Sequence, residues 1–243
     1  MRYWLVMPAA GSGSRFGAHA PKQYAPLAGR TVIEWALAPF LADARCAHLV
    51  VALAEHDVTW EQLAARRDIG SRVSSVTGAA RRSQSVRRGL AALAQRAAPD
   101  DWVLVHDAAR PCLDAADLER LLAALATHPV GGLLATPTTD TLKRAAATAA
   151  PHPAVAETVE RGSVWRALTP QMFRYGALCA ALDGAHAAGR FPSDEAQALE
   201  WLGQQPLLIA GAPSNLKITT AADLVVAAAL LAARPRAPHA EGS

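Results

Sequence analysis

Tyr3-Trp4-Leu5-Val6-Met7 is followed without a break by Pro8-Ala9-Ala10-Gly11-Ser12-Gly13-Ser14-Arg15-Phe16-Gly17, an apolar run and then a glycine-rich loop. The run predicts a buried β-strand, and the loop would lie where an open α/β sheet binds its ligands, beyond the carboxyl end of a strand. Glycines and small side chains leave backbone N–H groups accessible to an anion. The succession therefore predicts an α/β fold with a phosphate-binding first loop.

The spacing of the glycines excludes two familiar phosphate-binding loops. A dinucleotide fingerprint requires a glycine where this chain has Phe16, and Gly17 comes one residue too late. A P-loop requires Lys and then Ser or Thr after its last glycine, whereas alanine and histidine follow here. Two cations flank the loop instead, Arg15 and Lys22. They could embrace a triphosphate and stabilise charge at the phosphorus under attack, or they could be solvated residues of a tight turn.

The rest of the chain alternates short apolar runs with helical patterns, which predicts a mostly parallel sheet buried on both faces. Strands are predicted at 3–7, 49–53, 72–76, 101–106, 132–136, 164–168 and 207–209. Helices are predicted at 31–41, 58–67, 82–96, 114–127, 175–188, 194–202 and 221–233. The first of these helices begins with a capping box, because Glu34 stands three residues after Thr31.

One segment departs from this alternation. Residues 137–161 contain threonines, alanines and prolines without a helical stripe, which predicts an inserted extended arm at about 138–160. We find no internal repeat and no long polar linker, so residues 1–234 are predicted to form a single domain. Residues 235–243 are predicted to be a flexible tail.

Composition limits the classes of function. The 243 residues are 51% hydrophobic. With 24 Lys plus Arg and 21 Asp plus Glu, the net charge is +3, far below the positive charge of a dedicated nucleic-acid binder. No apolar stretch approaches the roughly 20 residues of a membrane span. The cysteines, Cys46, Cys112 and Cys179, are odd in number and widely spaced, and no signal-peptide pattern occurs. We therefore expect a cytoplasmic protein that binds neither nucleic acid nor membrane.

The densest basic cluster consists of Arg81, Arg82, Arg87 and Arg88. Helical spacing scatters these side chains, and no aromatic residues are interleaved with them, as a nucleic-acid-binding patch would require. A solvated helix face is the interpretation that the sequence favours.

A second loop lies at the predicted ligand edge, where Val103-Leu104-Val105 is followed by His106-Asp107-Ala108-Ala109-Arg110-Pro111. Asp107 could hold a sugar hydroxyl or a metal ion, and Arg110 could anchor a phosphate. Alternatively, the two side chains form a local ion pair that closes a turn. We assign His106 no chemistry, because neither a serine elbow nor a metal-binding histidine cluster accompanies it.

Several motifs follow one another along the chain. They are Pro8-Ala9-Ala10-Gly11 with Arg15, Pro21-Lys22-Gln23-Tyr24, Val105-His106-Asp107-Ala108-Ala109-Arg110-Pro111, Asp140-Thr141-Leu142-Lys143, Trp165-Arg166-Ala167-Leu168-Thr169-Pro170-Gln171, Ser193-Asp194-Glu195-Ala196 and Asn215-Leu216-Lys217-Ile218-Thr219. In order and approximate spacing they resemble the 2-C-methyl-D-erythritol 4-phosphate cytidylyltransferases. The resemblance covers nearly the whole chain, from Pro8 to about Leu224.

The resemblance implies a three-layer, Rossmann-like nucleotidyltransferase fold with a mostly parallel twisted sheet and an inserted extended β-arm. It also implies transfer of CMP from CTP to 2-C-methyl-D-erythritol 4-phosphate, giving 4-diphosphocytidyl-2-C-methyl-D-erythritol and pyrophosphate, a step in isoprenoid precursor synthesis. Mg²⁺ or a similar divalent cation is implied, held mainly by the CTP phosphates. The arm would form a homodimer.

The resemblance also assigns roles to the cations and the acceptor pocket. Arg15 and Lys22 would stabilise the transition state at the α-phosphate. Arg161 and Lys217 would position the acceptor phosphate for attack. The acceptor pocket would be lined by Asp107, Arg110, Thr141 and Thr169. The arm would carry its own residues, Thr141 and Arg161, into the partner subunit's site.

Five residues would contact the nucleotide according to the same resemblance. They are Ala9, Ala10, Gly11, Gly13 and Ser85. The turn before Ser85 departs from the family pattern, because Ala79 replaces a glycine and Ala80 a polar residue.

Three other functions share part of this pattern. A cytidylyltransferase acting on ribitol 5-phosphate would need similar cations, and so would a sugar-1-phosphate nucleotidyltransferase that uses UTP or another nucleotide. A non-catalytic nucleotide-binding module would share the first loop, but binding alone would not call for cations on both sides of the reaction centre.

Overall fold

The computed structural model describes residues 1–11, 21–65, 69–147 and 151–234. Its strands, in chain order, are β1 (Tyr3–Ala9), β2 (Pro26–Leu27), β3 (Arg30–Thr31), β4 (Cys46–Leu53), β5 (Val73–Thr77), β6 (Trp102–Val105), β7 (Gly131–Pro137), β8 (Leu142–Ala145), β9 (Val155–Val159), β10 (Trp165–Arg174) and β11 (Leu207–Ala210). Its α-helices are α1 (Val32–Ala42), α2 (Val58–Ala64), α3 (Arg82–Ala91), α4 (Ala115–Leu125), α5 (Tyr175–Ala187), α6 (Glu195–Glu200) and α7 (Ala221–Ala232).

Seven strands form the central sheet, in the order β11-β7-β10-β6-β1-β4-β5. The pairs β1–β4, β1–β6, β4–β5 and β7–β11 are parallel, and β10 runs antiparallel between β6 and β7. The predicted α/β fold with a mostly parallel sheet is therefore confirmed.

Alternate residues of the central strands of the seven-stranded sheet contribute to two apolar layers, one on each face of the sheet. On one face Leu5 packs with Leu37 and Phe40 of α1. On the other face Val6 packs with Leu90 of α3 and with residues of α5. The result is the three-layer arrangement that the resemblance implies.

The ends of most elements lie within a few residues of the prediction. The capping box at the start of α1 is present, because the backbone N–H of Thr31 donates to Oε2 of Glu34 at 2.7 Å. Strand β10 is longer than the predicted strand at 164–168, since it continues through Pro170 to Arg174. Its pairing with β7 is irregular between Ala167 and Gln171.

The predicted arm contains β8 and β9, which pair antiparallel in a small sheet of their own. The residues of both strands are mostly exposed. The predicted tail at 235–243 lies outside the described residues. In the part of the chain that the structure describes, the helices are too short or too polar to cross a bilayer.

Candidate active site

The carboxyl ends of β1, β5 and β6 lie at one edge of the sheet, because the strands from β6 to β5 run parallel. A cavity of about 520 Å³ opens there. The residues predicted to bind substrates that line it are Ala9, Ala10, Gly11, Lys22, Ser85, Asp107 and Lys217. The structure therefore brings the described start of the first loop, the second loop, Lys22 and Lys217 to one cavity.

Hydrogen bonds join the distant segments that carry the two lysines. The Lys22 ammonium donates to the carbonyl oxygen of Ile218 at 2.8 Å. The backbone N–H of Ile218 donates to the carbonyl oxygen of Ala109 at 2.8 Å. Lys217 is thus next in the chain to a residue whose backbone is bonded both to Lys22 and to the second loop.

Asp107 lies at the centre of the charged cluster and is almost fully buried. Its carboxylate is 2.9 Å from Nε of Arg82, 2.9 Å from Nζ of Lys217 and 3.7 Å from Nε of Arg110. Burial alone would raise the pKa of Asp107, but the three cations hold it well below its usual range. Asp107 is therefore an ionised acceptor. Its local pair with Arg110 exists, but it is the longest of the three contacts.

The contacts of Arg82 show that the prediction of a solvated face for the arginine cluster is wrong for this residue. Its Nη1 and Nη2 donate to the two carboxylate oxygens of Glu195, at 2.7 and 3.0 Å, while its Nε donates to Asp107. Arg82 is the first residue of α3 and lines the main cavity, so its side chain points into the site rather than to solvent. Nothing in the local sequence identifies Glu195 as its partner, because the two residues are 113 positions apart.

A second cavity of about 160 Å³ shares Arg82, Asp107 and Lys217 with the first. Two residues predicted to bind the acceptor, Arg110 and Thr169, line this cavity. The guanidinium of Arg110 donates to the carbonyl oxygen of residue 215 at 2.7 Å, and burial lowers the pKa of Arg110. The shared charged residues place the boundary between the two cavities at the Asp107 cluster.

His106 is fully buried, and both of its ring nitrogens have hydrogen-bond partners. Its Nε2 lies 3.1 Å from the carbonyl oxygen of Arg110, so Nε2 carries the proton, and Nδ1 accepts from the Thr169 hydroxyl at 2.9 Å. The same hydroxyl accepts the backbone N–H of Asp107 at 3.1 Å. Burial lowers the pKa of His106 to about 4. This histidine therefore holds Thr169 and Asp107 in place rather than moving protons.

The turn that follows β5 is fixed against the first loop. Oγ of Ser85 accepts the N–H of Ala79 at 2.9 Å, and Nη1 of Arg88 donates to the carbonyl oxygen of Gly78 at 2.5 Å. A Cβ at position 78 would lie 2.6 Å from Cβ of Ala10, so only glycine fits there without displacement. Position 79 holds alanine where the family pattern has glycine. The N–H of Ala79 nevertheless donates to Oγ of Ser85, so this hydrogen bond does not require glycine at position 79.

A comparison with protein families identifies this arrangement. The model of 2-C-methyl-D-erythritol 4-phosphate cytidylyltransferase matches residues 3–233. The chain belongs to the 2-C-methyl-D-erythritol 4-phosphate cytidylyltransferase family. The resemblance that the motifs carry is thereby confirmed.

Curated members of this cytidylyltransferase family are close relatives. A protein of that name from Ectopseudomonas mendocina is 53% identical over 224 residues, covering 92% of this chain and 93% of the relative. One from Halorhodospira halophila is 50% identical over 242 residues, covering 99% and 98%.

Solved structures of cytidylyltransferases from two organisms match the fold. The Francisella tularensis enzyme has a TM-score of 0.79 at 30% identity, covering 95% of this chain and all of the other. The Thermus thermophilus enzyme has a TM-score of 0.75 at 32% identity, covering 96% and 100%.

Two predicted site residues in the described part of this cytidylyltransferase do not line either cavity. Thr141 and Arg161 are exposed parts of the arm, and neither lines the two cavities described above. Arg161 donates instead to the carbonyl oxygen of Thr139. Gly13 and Arg15 lie outside the described residues.

Proposed function

We propose that this chain transfers the cytidylyl group of CTP to the phosphate of 2-C-methyl-D-erythritol 4-phosphate, releasing pyrophosphate. The family supports this activity. The observation that carries it is the common cavity, in which a loop of small residues meets Lys22 from one end of the chain and Lys217 from the other.

The chemistry requires charge and orientation rather than a base. A phosphate oxygen of the acceptor forms a bond to the α-phosphorus of CTP, the bond between that phosphorus and the α–β bridging oxygen breaks, and pyrophosphate leaves with the electron pair. Because the nucleophile is already an anion, the obstacle is repulsion between two polyanions. Lys22 would stabilise the charge at the α-phosphorus, together with Arg15. Lys217 would hold the acceptor phosphate.

The Asp107 cluster suits the acceptor. The Asp107 carboxylate stays ionised and can accept a hydroxyl of the polyol, while Arg110 and Thr169 line the same small cavity. The small loop residues Ala9, Ala10 and Gly11 would present their backbone to the nucleotide, as would Gly13, with Ser85 near the base or ribose.

The described residues do not offer Mg²⁺ a set of protein ligands. No three His, Cys, Asp or Glu side chains among them are placed to hold a metal ion, and Asp107 is already paired with cations. We therefore expect a divalent cation to be held by the triphosphate oxygens of CTP, where it would neutralise phosphate charge.

The site is completed, on this proposal, by a second copy of the chain. The single domain of residues 1–234 would dimerise through the arm at about 138–160, which would bring Thr141 and Arg161 to the partner subunit's acceptor pocket. The exposure of both residues supports this role.

The three cysteines are unpaired, in keeping with the reducing cytoplasm that we propose as the location.

The activity is tested by incubating the protein with CTP, Mg²⁺ and 2-C-methyl-D-erythritol 4-phosphate and identifying the nucleotide product. Parallel reactions contain ribitol 5-phosphate, or UTP with a sugar 1-phosphate. We expect 4-diphosphocytidyl-2-C-methyl-D-erythritol and pyrophosphate in the first reaction only. Binding of CTP with no pyrophosphate in any reaction would instead identify a non-catalytic module.

Complementation between subunits tests the shared site. Mixing inactive Lys217→Ala and Arg161→Ala proteins would regenerate one intact site in each mixed dimer, restoring up to about a quarter of the wild-type activity. No recovery after subunit exchange, shown by mass spectrometry, would place both residues in one subunit's site.

A further inference from the structure

Glu195 is a fully buried carboxylate that lines neither of the two cavities of the site. It is the first residue of α6, it has no exposed surface, and it is absent from the lining of both the nucleotide cavity and the smaller acceptor cavity. Both of its oxygens accept hydrogen bonds from the guanidinium of Arg82, at 2.7 and 3.0 Å. A charge buried in this way must serve its partner, because it cannot reach a substrate.

Arg82 turns two different edges of its guanidinium to two carboxylates. The Nη1/Nη2 edge faces Glu195, and Nε donates to Oδ1 of Asp107 at 2.9 Å. Because the guanidinium is planar and rigid, fixing the first edge by a bidentate pair also fixes the direction of the second. The other oxygen of Asp107, Oδ2, lies 2.9 Å from the Lys217 ammonium. A continuous series of ion pairs therefore runs from Glu195 through Arg82 and Asp107 to Lys217.

We propose that Glu195 is a positioning residue for nucleotidyl transfer: it holds Arg82, Arg82 orients Asp107, and Asp107 orients Lys217 where the two cavities meet. The inference rests on the proposed function, since it concerns the residues that would receive the acceptor. Glu195 also balances the positive charge of Arg82, so that the Arg82 guanidinium does not compete with Lys217 for the substrate phosphates.

The test compares Glu195→Gln with a matched control, Asp183→Asn. Asp183 makes the same kind of bidentate pair with an arginine of α3, Arg87, at 2.6 and 2.9 Å, but it lies on the surface and lines neither cavity. Steady-state kinetics with CTP and 2-C-methyl-D-erythritol 4-phosphate are normalised to the folded fraction, measured by circular dichroism and thermal melting. Direct titration gives the dissociation constant for CTP.

We expect Glu195→Gln to lower kcat per folded molecule by on the order of 10²-fold, the usual consequence of displacing a reacting group by about 1 Å. The dissociation constant for CTP should change much less, and Asp183→Asn should retain wild-type kcat. Arg82→Lys keeps the charge but lacks the rigid planar fork that fixes one edge by the other, so it should lose kcat similarly. The double variant should be no worse than Arg82→Lys alone, because both changes break one series of contacts.

Three results would overturn the proposal: wild-type kcat in folded Glu195→Gln, a loss of activity that merely follows the folded fraction, or additive losses in the double variant. If Glu195→Gln does not fold, Glu195→Asp and Arg82→Lys decide the question by the same measurements. An inactive wild-type protein would contradict the proposed function itself. Active wild type with unaffected variants would contradict only the positioning role.

Discussion

The Lys22 ammonium and the carbonyl oxygen of Ile218 form a hydrogen bond of 2.8 Å across 196 positions of sequence. The same residue, Ile218, donates its N–H to Ala109 in the loop after β6. The ligand edge is therefore one unit made of three distant segments. Lys22 and Lys217 owe their relative placement to Ile218, whose own side chain is buried in an apolar cluster.

Lys22→Ala should reduce turnover by on the order of 10² to 10³-fold, as removal of a donor from a developing anion does. The measurement is kcat for pyrophosphate release by protein shown to be folded by circular dichroism. The control is Arg190→Ala, which removes a cation that stacks on Trp201 outside both cavities and should leave turnover unchanged. Equal turnover in the two variants would make Lys22 an ordinary surface lysine.

Local patterns explain why much of the fold was predictable. The period-2 and period-3.6 apolar patterns place strands and helices, and the Thr31–Glu34 box fixes the start of α1, because each signal lies within a few residues. The predicted strand at 164–168 ends before β10 does, because a proline such as Pro170 disfavours a strand. The antiparallel direction of β10 depends on how the arm returns to the sheet, which no local pattern specifies. The sequence patterns do not predict the short β2–β3 hairpin, because strands of two residues are too short to show a period-2 pattern.

Part of the candidate site can be predicted from the order of the strands, and part of it cannot. Lys22, Asp107 and Lys217 share a cavity because parallel strands end at one edge, which the sequence order implies. The pairing of Arg82 with Glu195 is a tertiary contact with no local signal, so helical spacing alone suggested a solvated arginine. In the proposed dimer, the positions of Thr141 and Arg161 in a complete site would depend on a second chain, which no single-chain pattern specifies.

Gly78→Ala should weaken nucleotide binding. The new Cβ would lie 2.6 Å from Cβ of Ala10 and 2.9 Å from Oγ of Ser85, so the turn and the first loop must separate. Overpacking of this kind costs about 1–3 kcal/mol, and a cost of that size in the CTP-bound conformation corresponds to a rise of roughly 5- to 150-fold in the dissociation constant for CTP. Calorimetric titration measures it. Adding Ala10→Gly removes the shorter contact and should recover part of the affinity, whereas unchanged binding in Gly78→Ala would show that the turn does not shape the site.

The same substitution at two helical glycines should change stability in opposite directions. In α3, a Cβ on Gly89 would lie 2.5 Å from Cγ1 of the fully buried Val6, so Gly89→Ala should lower the free energy of unfolding by about 1–3 kcal/mol. In α5, a Cβ on Gly184 meets nothing within 4 Å, so Gly184→Ala should raise it by about 0.5–1 kcal/mol. Urea unfolding measures both, and shifts of one sign would contradict the packing of α3 on β1.

His106→Gln should reduce the loss of stability in weak acid. Burial lowers the pKa of His106 to about 4 against the facing carboxylate of Asp107, whereas an unfolded histidine titrates near 6.5. Above about pH 6.5 both states are neutral and the histidine has no effect; as the pH falls below that value, only the unfolded state binds the proton, and the folded state loses stability until about pH 4.

Between about pH 7.5 and about pH 5 this difference amounts to roughly 2 kcal/mol, so the wild-type free energy of unfolding should fall by about that much more than the variant's. Urea unfolding at the two pH values gives the comparison. His48 and His186, whose pKa values are also lowered by burial, are present in both proteins and cancel in the difference. Equal losses in the two proteins would mean that His106 is protonated in the folded state. The hydrogen bond from Thr169 to Nδ1 would then be absent, and with it the support for Asp107.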